Sequence, residues 1–534
     1  MGTATKTTLA TGESVVGAVT SRTVLGVTAA TVVLAVACLM QWVAPGGAVV
    51  GIPVATLLGG GLAVAGCGIA VLGAGSRLGY IETTPSRATS LAAGCVVGML
   101  WAVSGGVATT VAVGGGDAWL PVAVVGGVAG ALATVLPRED AGATLPAAAV
   151  IVGWGGAIAA SGGGGGWTWA PAWSSAVFPG TEIVPVVAVG GALLAAWSGA
   201  SAHAGFGAEG RQAGAYALVG AVVVGTLSVL VLLVGFVVLK GITPVLTGAS
   251  LTGGTLGLPF VDAAVPWPTL PFVTNQTGGL YVTIPGVFPA LVGTLWLVFG
   301  AVVAAVPLGI GAAVFLTEYA ERGRFTQLVE VATNGLWSTP SIVFGLFGLA
   351  FLVPRLSGGN SILVGQLVLG CMLLPLVLLT CREALLAVPD AHRDASAALG
   401  VTKWQTIRSV VVPAAMPGTI TGVILGVGRI AGETAPLLLV FGGAPYPSNT
   451  PDVLGSFSLM AQPPFVTNDA LLAPASALPY QLYTTITAGV FPKDEFTTAA
   501  FGWGTALVLL AVVIGLYAVG IASRRYFRRK LHHE

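Results

Sequence analysis

Asp394 to Pro413 reads D-A-S-A-A-L-G-V-T-K-W-Q-T-I-R-S-V-V-V-P, a polar stretch lodged between two long apolar runs. With Arg382, Glu383, Asp390 and Arg393 just before it, it forms a dense charge cluster in a chain that is only 8% charged. The spacing predicts helix, glycine, helix. Asp390 caps a first helix through Leu399, and Gly400 supplies a left-handed stop. Thr402-Lys403-Trp404-Gln405 then opens a second helix with a capping box. Ala395, Ala398 and Leu399 give the first helix a small-residue face, better suited to close protein contact than to burial in lipid. Trp404, Ile407 and Val411 give the second an apolar stripe.

Outward from this stretch, the chain is too apolar for a soluble protein of its length. It has 534 residues, 55% hydrophobic, with 79 Gly and 32 Pro, which implies an all-α polytopic membrane protein. Apolar runs long enough to span lie near 23–42, 51–74, 88–112, 119–136, 143–161, 183–201, 214–238, 286–316, 335–354, 361–381, 411–441 and 500–522, giving about 12 transmembrane helices. With both termini cytoplasmic, alternation leaves only Lys240, Arg355 and Lys493 outside and Arg429 within a span, out of 21 basic residues. That is the asymmetry expected of a multi-pass protein of the cell membrane. The chain divides near residue 213. Residues 1–213 hold six runs with short connections, and 214–534 hold six more with long outer segments near 240–285 and 442–499.

Other features carry less. A formal net charge of +1 gives no ground for a nucleic-acid partner. The five cysteines are scattered in or beside apolar runs with no C-x-x-C pair and read as small core residues. Ser161 to Ser175, with its Gly run and three Trp, reads as an interfacial anchor against membrane lipid. Asn275-Gln276-Thr277 is a weak glycosylation sequon. The first apolar run is long enough to span, so a cleaved signal peptide is not expected.

Within the run after the polar stretch, Arg429 and Glu433 stand four residues apart in G-R-I-A-G-E-T-A-P-L-L. A charge near the bilayer centre costs about 2.5–3.5 kcal/mol on insertion scales, so such a pair faces protein or a watery path.

The 394–413 stretch resembles the EAA loop of ABC-importer permeases, E-A-A-x3-G-x9-I-x-L-P. Asp394, Ala395 and Ser396 stand at the EAA positions, Gly400 at the glycine, Val410 at the Ile and Val412-Pro413 at the Leu-Pro. The R-I-A-G-E-T-A-P-L-L run resembles the PstA-type permeases of phosphate-specific transport. So do Gly278-Gly279-Leu280, Val306 to Ile310, Leu316-Thr317-Glu318-Tyr319 and Pro340 to Leu346. The resemblance covers about 214–530. It implies a type I importer (MetI-like) permease fold for the C-terminal six helices. It also implies a coupling loop at 382–413, with Asp394, Ala395, Ser396, Gly400, Lys403 and Trp404 facing an ATPase, and a translocation path at Arg429 and Glu433.

Catalysis is not expected of the chain. None of its lysines follows Gly, which excludes G-x4-G-K-[ST], and there is no H-E-x-x-H. No cofactor is expected in it: the resemblance assigns ATP and Mg to a separate ABC ATPase dimer. It further implies a second, homologous permease subunit and an extracytoplasmic phosphate-binding protein. Charge alone leaves molybdate, sulfate or phosphonate open as the transported oxyanion. An uncoupled membrane channel would leave the 382–413 insert without a purpose.

Overall fold

The computed structural model describes residues 15–87, 91–113, 118–162, 168–169, 175–257, 264–278, 283–321, 323–443, 447–463, 465–488 and 496–533. Among them, ten helices are long and apolar enough to cross a membrane, or eleven when one bent pair counts as a span. The run expected at 119–136 is also helical, but its helix, Trp119–Val135, is shorter. The chain is a multi-pass membrane protein. It forms two compact units, Met1–Leu230 and Val231–Glu534, and the division falls inside one long helix, Gly207–Leu246.

The first unit contains α1 (Val15–Leu39), α2 (Val54–Arg77), α3 (Leu91–Val113), α4 (Trp119–Val135), α5 (Asp140–Ala160), α6 (Gly180–His203) and the start of α7 (Gly207–Leu246). Lipid gives little hydrophobic drive for helices to associate, so close backbone packing through small residues must hold them together. Gly59 and Ala63 on α2 meet Gly155 and Ala159 on α5. A Cβ at Gly155 would lie 2.6 Å from the Gly59 carbonyl oxygen and 2.8 Å from the Ala63 nitrogen. Leu58, Leu62 and Ile151 are fully buried beside this crossing. Gly155→Val is expected to destabilise the unit by about 1–3 kcal/mol through overpacking, read as a fall in the unfolding temperature of the purified protein; an unchanged temperature would contradict the crossing. Two indoles tie in α3: Trp101 Nε1 donates to the Pro146 carbonyl at 3.1 Å, and Trp154 Nε1 to Ser104 Oγ at 2.8 Å. At the α6–α7 turn the Asp140 carboxylate accepts from Gly207 N at 2.7 Å and pairs with Arg211 at 2.9 Å.

The second unit adds α8 (Phe288–Tyr319), α9 (Arg324–Ser338), α10 (Ser341–Leu356), α11 (Ile362–Leu386), α12 (Asp390–Ala398), α13 (Lys403–Ala431), α14 (Ala435–Val440), α15 (Leu478–Ala488) and α16 (Thr498–His533). α11 is its centre. Ile362, Leu369 and Leu373 are fully buried, with Leu297 of α8 and Phe441 beside α14.

Two expected spans are not single helices. The 335–354 run breaks between Ser338 and Ser341, where α9 and α10 meet at 103°. Thr339 is extended (φ −69°, ψ 132°), as a residue before proline tends to be. The 411–441 run breaks too: α13 ends at Ala431, and α14 starts only at Ala435. At its other end α13 is longer than expected. The second helix of the polar stretch continues into the span through a π-helical turn, Ile407–Val411. That turn sits just before Pro413, whose missing N–H would interrupt the α ladder.

Hairpins form in the odd-to-even connections, including Ser250–Gly257 with Ala264–Thr269 and Phe457–Leu459 with Val466–Asn468. The Ile362 end of α11 bonds to Ala473 O, in the segment after the second of these hairpins, whereas the polar stretch follows Leu386 at the other end of that helix. The sequon is occupied by its own fold: Asn275 Nδ2 donates to Ile284 O, and the buried Thr277 hydroxyl donates to Gly286 O. All five cysteines are free, but only Cys38 and Cys381 are buried; Cys67, Cys95 and Cys371 are exposed on helix faces rather than in a core. Gly279 and Leu280, and most of the 161–175 segment, lie outside the described residues.

Candidate functional site

Two constellations in the second unit contain the sequence-predicted residues. The first lies where the two broken spans meet. α10 and α14 pack closely there, and a Cβ at Gly345 would lie 2.8 Å from Pro436 Cα. Both helices begin just after their breaks, so non-helical backbone at Thr339-Pro340 and at Gly432-Glu433-Thr434 is gathered in one region. Irregular backbone at membrane depth is tolerated where it is buried in protein or lines a watery cavity, and broken helices recur at transporter substrate sites.

Arg429 and Glu433 were expected one turn apart on a single helix. The structure corrects this: Arg429 is in the last turn of α13, and Glu433 lies beyond its end, in the break. Their contact, Nε to Oε1, is 3.6 Å, an ion pair but not a close hydrogen bond. The Arg429 side chain is 42% exposed and Glu433 18%. The guanidinium carbon of Arg429 sits 4.4 Å from the centre of the Trp337 ring, at the end of α9. One face of the cation is therefore held by an aromatic surface, an attraction worth about 0.5–2 kcal/mol. Trp337 is not among the residues the sequence motifs single out. Its signal was an indole directly before the Ser-Thr-Pro break, but its partner is distant in sequence.

The second constellation is the polar elbow of α12, Gly400 and the start of α13. Gly400 has φ +73°, as the left-handed stop requires. Thr402 and Gln405 form the expected capping box. Asp390 does not cap α12. The N-cap is Pro389 with no side-chain bond, while Asp390 is the first helical residue and its carboxylate pairs with Arg393 at 3.1 Å. Nor does Trp404 join an apolar stripe: Ile407 and Val411 are buried, but Trp404 is 57% exposed. Asp394, Ala395, Gly400 and Lys403 are exposed, and Leu399 stands 83% clear of the protein. Ser396 alone of the candidate residues turns inward, donating to the His392 carbonyl at 2.9 Å.

The elbow is braced from below by residues that the spacing alone did not assign. Arg393 donates to Val388 O at 2.7 Å, to Leu385 O at 3.1 Å and to Glu318 Oε1 at 2.8 Å. Glu318, only 8% exposed, lies in the π-helical turn that ends α8. Hydrogen bonding to Glu318 raises the Arg393 guanidinium above its ordinary pKa despite partial desolvation. Next to it, Lys403 Nζ lies 5.2 Å from the Tyr319 ring centre. Arg382 of α11 pairs with Glu330 of α9. The signal for Glu318 was a carboxylate closing a long apolar run.

Residues 305–533 match the family described as "Binding-protein-dependent transport system inner membrane component", entirely within the second unit. A probable ABC transporter permease, YqgI of Bacillus subtilis, is 32% identical over 48% of this chain and 83% of its own length. The phosphate transport system permease protein PstA 1 of Mycobacterium tuberculosis is 36% identical over 46% of this chain and 72% of its own. PstA of Mycobacterium leprae is 34% identical over 45% and 70%. Among solved structures, an inward-facing MetNI methionine ABC transporter covers 45% of this chain and 94% of its own at 18% identity; its TM-score of 0.33 adds nothing to the assignment. With the two constellations in a helical membrane unit and relatives of this identity and coverage, the chain belongs to the PstA-type permeases of ABC transporters.

Proposed function

We propose that this chain is a permease subunit of an ATP-driven inorganic phosphate importer, with Arg429 and Glu433 on the translocation path. The observation that carries the reading is the state of Arg429. One face of its guanidinium rests on Trp337, and its only carboxylate contact among the described residues is the 3.6 Å approach of Glu433. Its planar donor edge is left for a tetrahedral oxyanion, and a planar fork suits phosphate oxygens. Glu433 neutralises the arginine when the site is empty and gives way when phosphate arrives. The names of the PstA relatives favour phosphate over other oxyanions.

The elbow at 382–413 is the coupling loop in this reading. Asp394, Ala395, Gly400, Lys403 and Trp404 meet the ATPase, with the buried Ser396 behind them. Force on α12 passes through Arg393 and Glu318 to α8, and through continuous α13 to Arg429 at its far end. ATP and Mg bind the partner ATPase dimer. A second permease subunit and an extracytoplasmic phosphate-binding protein complete the assembly, and the termini and elbow face the cytoplasm. Residues 1–213 are an added membrane region preceding the permease domain at 214–534.

Proteoliposomes holding the whole complex test this. Labelled phosphate uptake is expected to require ATP and to resist an excess of sulfate or molybdate. Uptake of molybdate or sulfate in place of phosphate, or phosphate flux without ATP, contradicts the reading. In the same assay Trp337→Ala is expected to lower uptake about fivefold, the loss of a cation–π contact of about 1 kcal/mol, chiefly through a raised KM. Unchanged kinetics would remove Trp337 from the site.

A further inference from the structure

α13 and α16 pack through glycines where Gly428 meets Tyr517 and Gly520 meets Ile424. Beyond Gly520 they part, and a cleft of about 650 Å³ opens between them and α11. Its walls include the aliphatic Leu379, Pro417 and Leu425. Arg524 and Arg528, one turn apart on α16, line it together with Glu383 of α11. Among the described residues, no ion pair within 4.0 Å joins Glu383 to either arginine. The arginines follow directly on the apolar run of α16, where basic side chains at the end of a span meet the headgroup layer.

We propose that this cleft binds one anionic glycerophospholipid, its phosphate on Arg524 and Arg528 and its acyl chains along Leu379 and Leu425. Two guanidinium forks match a phosphodiester, and basic clusters beside a span attract anionic lipid. A soluble anion would have no use for the aliphatic walls. Glu383 opposes the headgroup and limits its affinity. Because α11 and α13 carry the two ends of the elbow, a lipid wedged here sets how freely they move against α16. The proposal is independent of the transported substrate.

Native mass spectrometry of the full-length protein in mild detergent reads the site. Phosphatidylglycerol is expected to be retained roughly tenfold more tightly than phosphatidylcholine, two arginines being partly offset by one carboxylate. Arg524→Gln with Arg528→Gln removes that preference. Arg525→Gln with Arg529→Gln, the same charge loss outside the cleft, keeps it. Glu383→Gln strengthens retention severalfold, and Leu425→Trp, which fills the cleft without changing charge, abolishes it. Equal retention of the two lipids overturns the proposal. So does equal weakening by the Arg525 and Arg529 pair, which means diffuse surface attraction, or displacement by millimolar inorganic phosphate, which means a soluble-anion site.

Discussion

Arg429→Gln is expected to cut ATP-driven phosphate uptake roughly 100-fold while leaving the complex assembled. The glutamine keeps some hydrogen-bonding capacity but is shorter and loses the charge and the planar fork. Two charge-assisted hydrogen bonds to phosphate, at about 1.5 kcal/mol each, correspond to that factor. Glu433, 18% exposed, is then left without the cation 3.6 Å away and repels the incoming anion. The double change with Glu433→Gln should therefore recover part of the loss, because it removes the stranded carboxylate. Arg429→Lys should fall between, since an ammonium restores charge but neither the fork nor the broad stack on Trp337. Labelled-phosphate uptake at matched protein levels measures all three. A wild-type rate for Arg429→Gln would take Arg429 off the path.

Arg393→Ala is expected to abolish coupling. Arg393 and Glu318 form a part-buried ion pair, and removing the arginine leaves an unpaired charge on a side chain only 8% exposed. Glu318 is that charge here, and the Leu385 and Val388 carbonyls lose their donor as well. α12 then loses its anchor to α8. Uptake should fall to background, and the partner ATPase should lose its stimulation by binding protein and phosphate. Glu318→Gln should be milder, since the amide oxygen still accepts from Arg393. Substrate-stimulated ATP hydrolysis in the reconstituted complex distinguishes these outcomes. Full stimulation with Arg393→Ala would show that the brace is dispensable.

Hydropathy made the apolar helices legible but not their continuity. Mean apolarity over 335–354 and 411–441 is indifferent to breaks at Thr339-Pro340 and Gly432-Glu433-Thr434. Local chemistry marked both, through an X-Pro step and a Gly-Glu-Thr-Ala-Pro stretch. The elbow was more legible because Gly400 and the Thr402–Gln405 box act within a few residues. Where the tertiary surroundings decide, spacing misled. Trp404 points away from the protein although its period matches Ile407 and Val411, and Pro389 takes the cap position expected for Asp390. Contacts across the unit, Trp337 with Arg429 and Glu318 with Arg393, leave no periodic trace in one sequence.

Crosslinking from the elbow tip tests the coupling claim most directly. Leu399 is 83% exposed, so Leu399→Cys presents a thiol without disturbing packing. In the reconstituted complex it is expected to crosslink to the ATPase subunit. Adding Gly400→Pro should abolish the product, since proline cannot adopt φ +73° and lacks the N–H that Gly400 donates to Ala397 at 3.0 Å. A complex that transports phosphate with ATP yet yields no crosslink to the ATPase from this position would contradict the account.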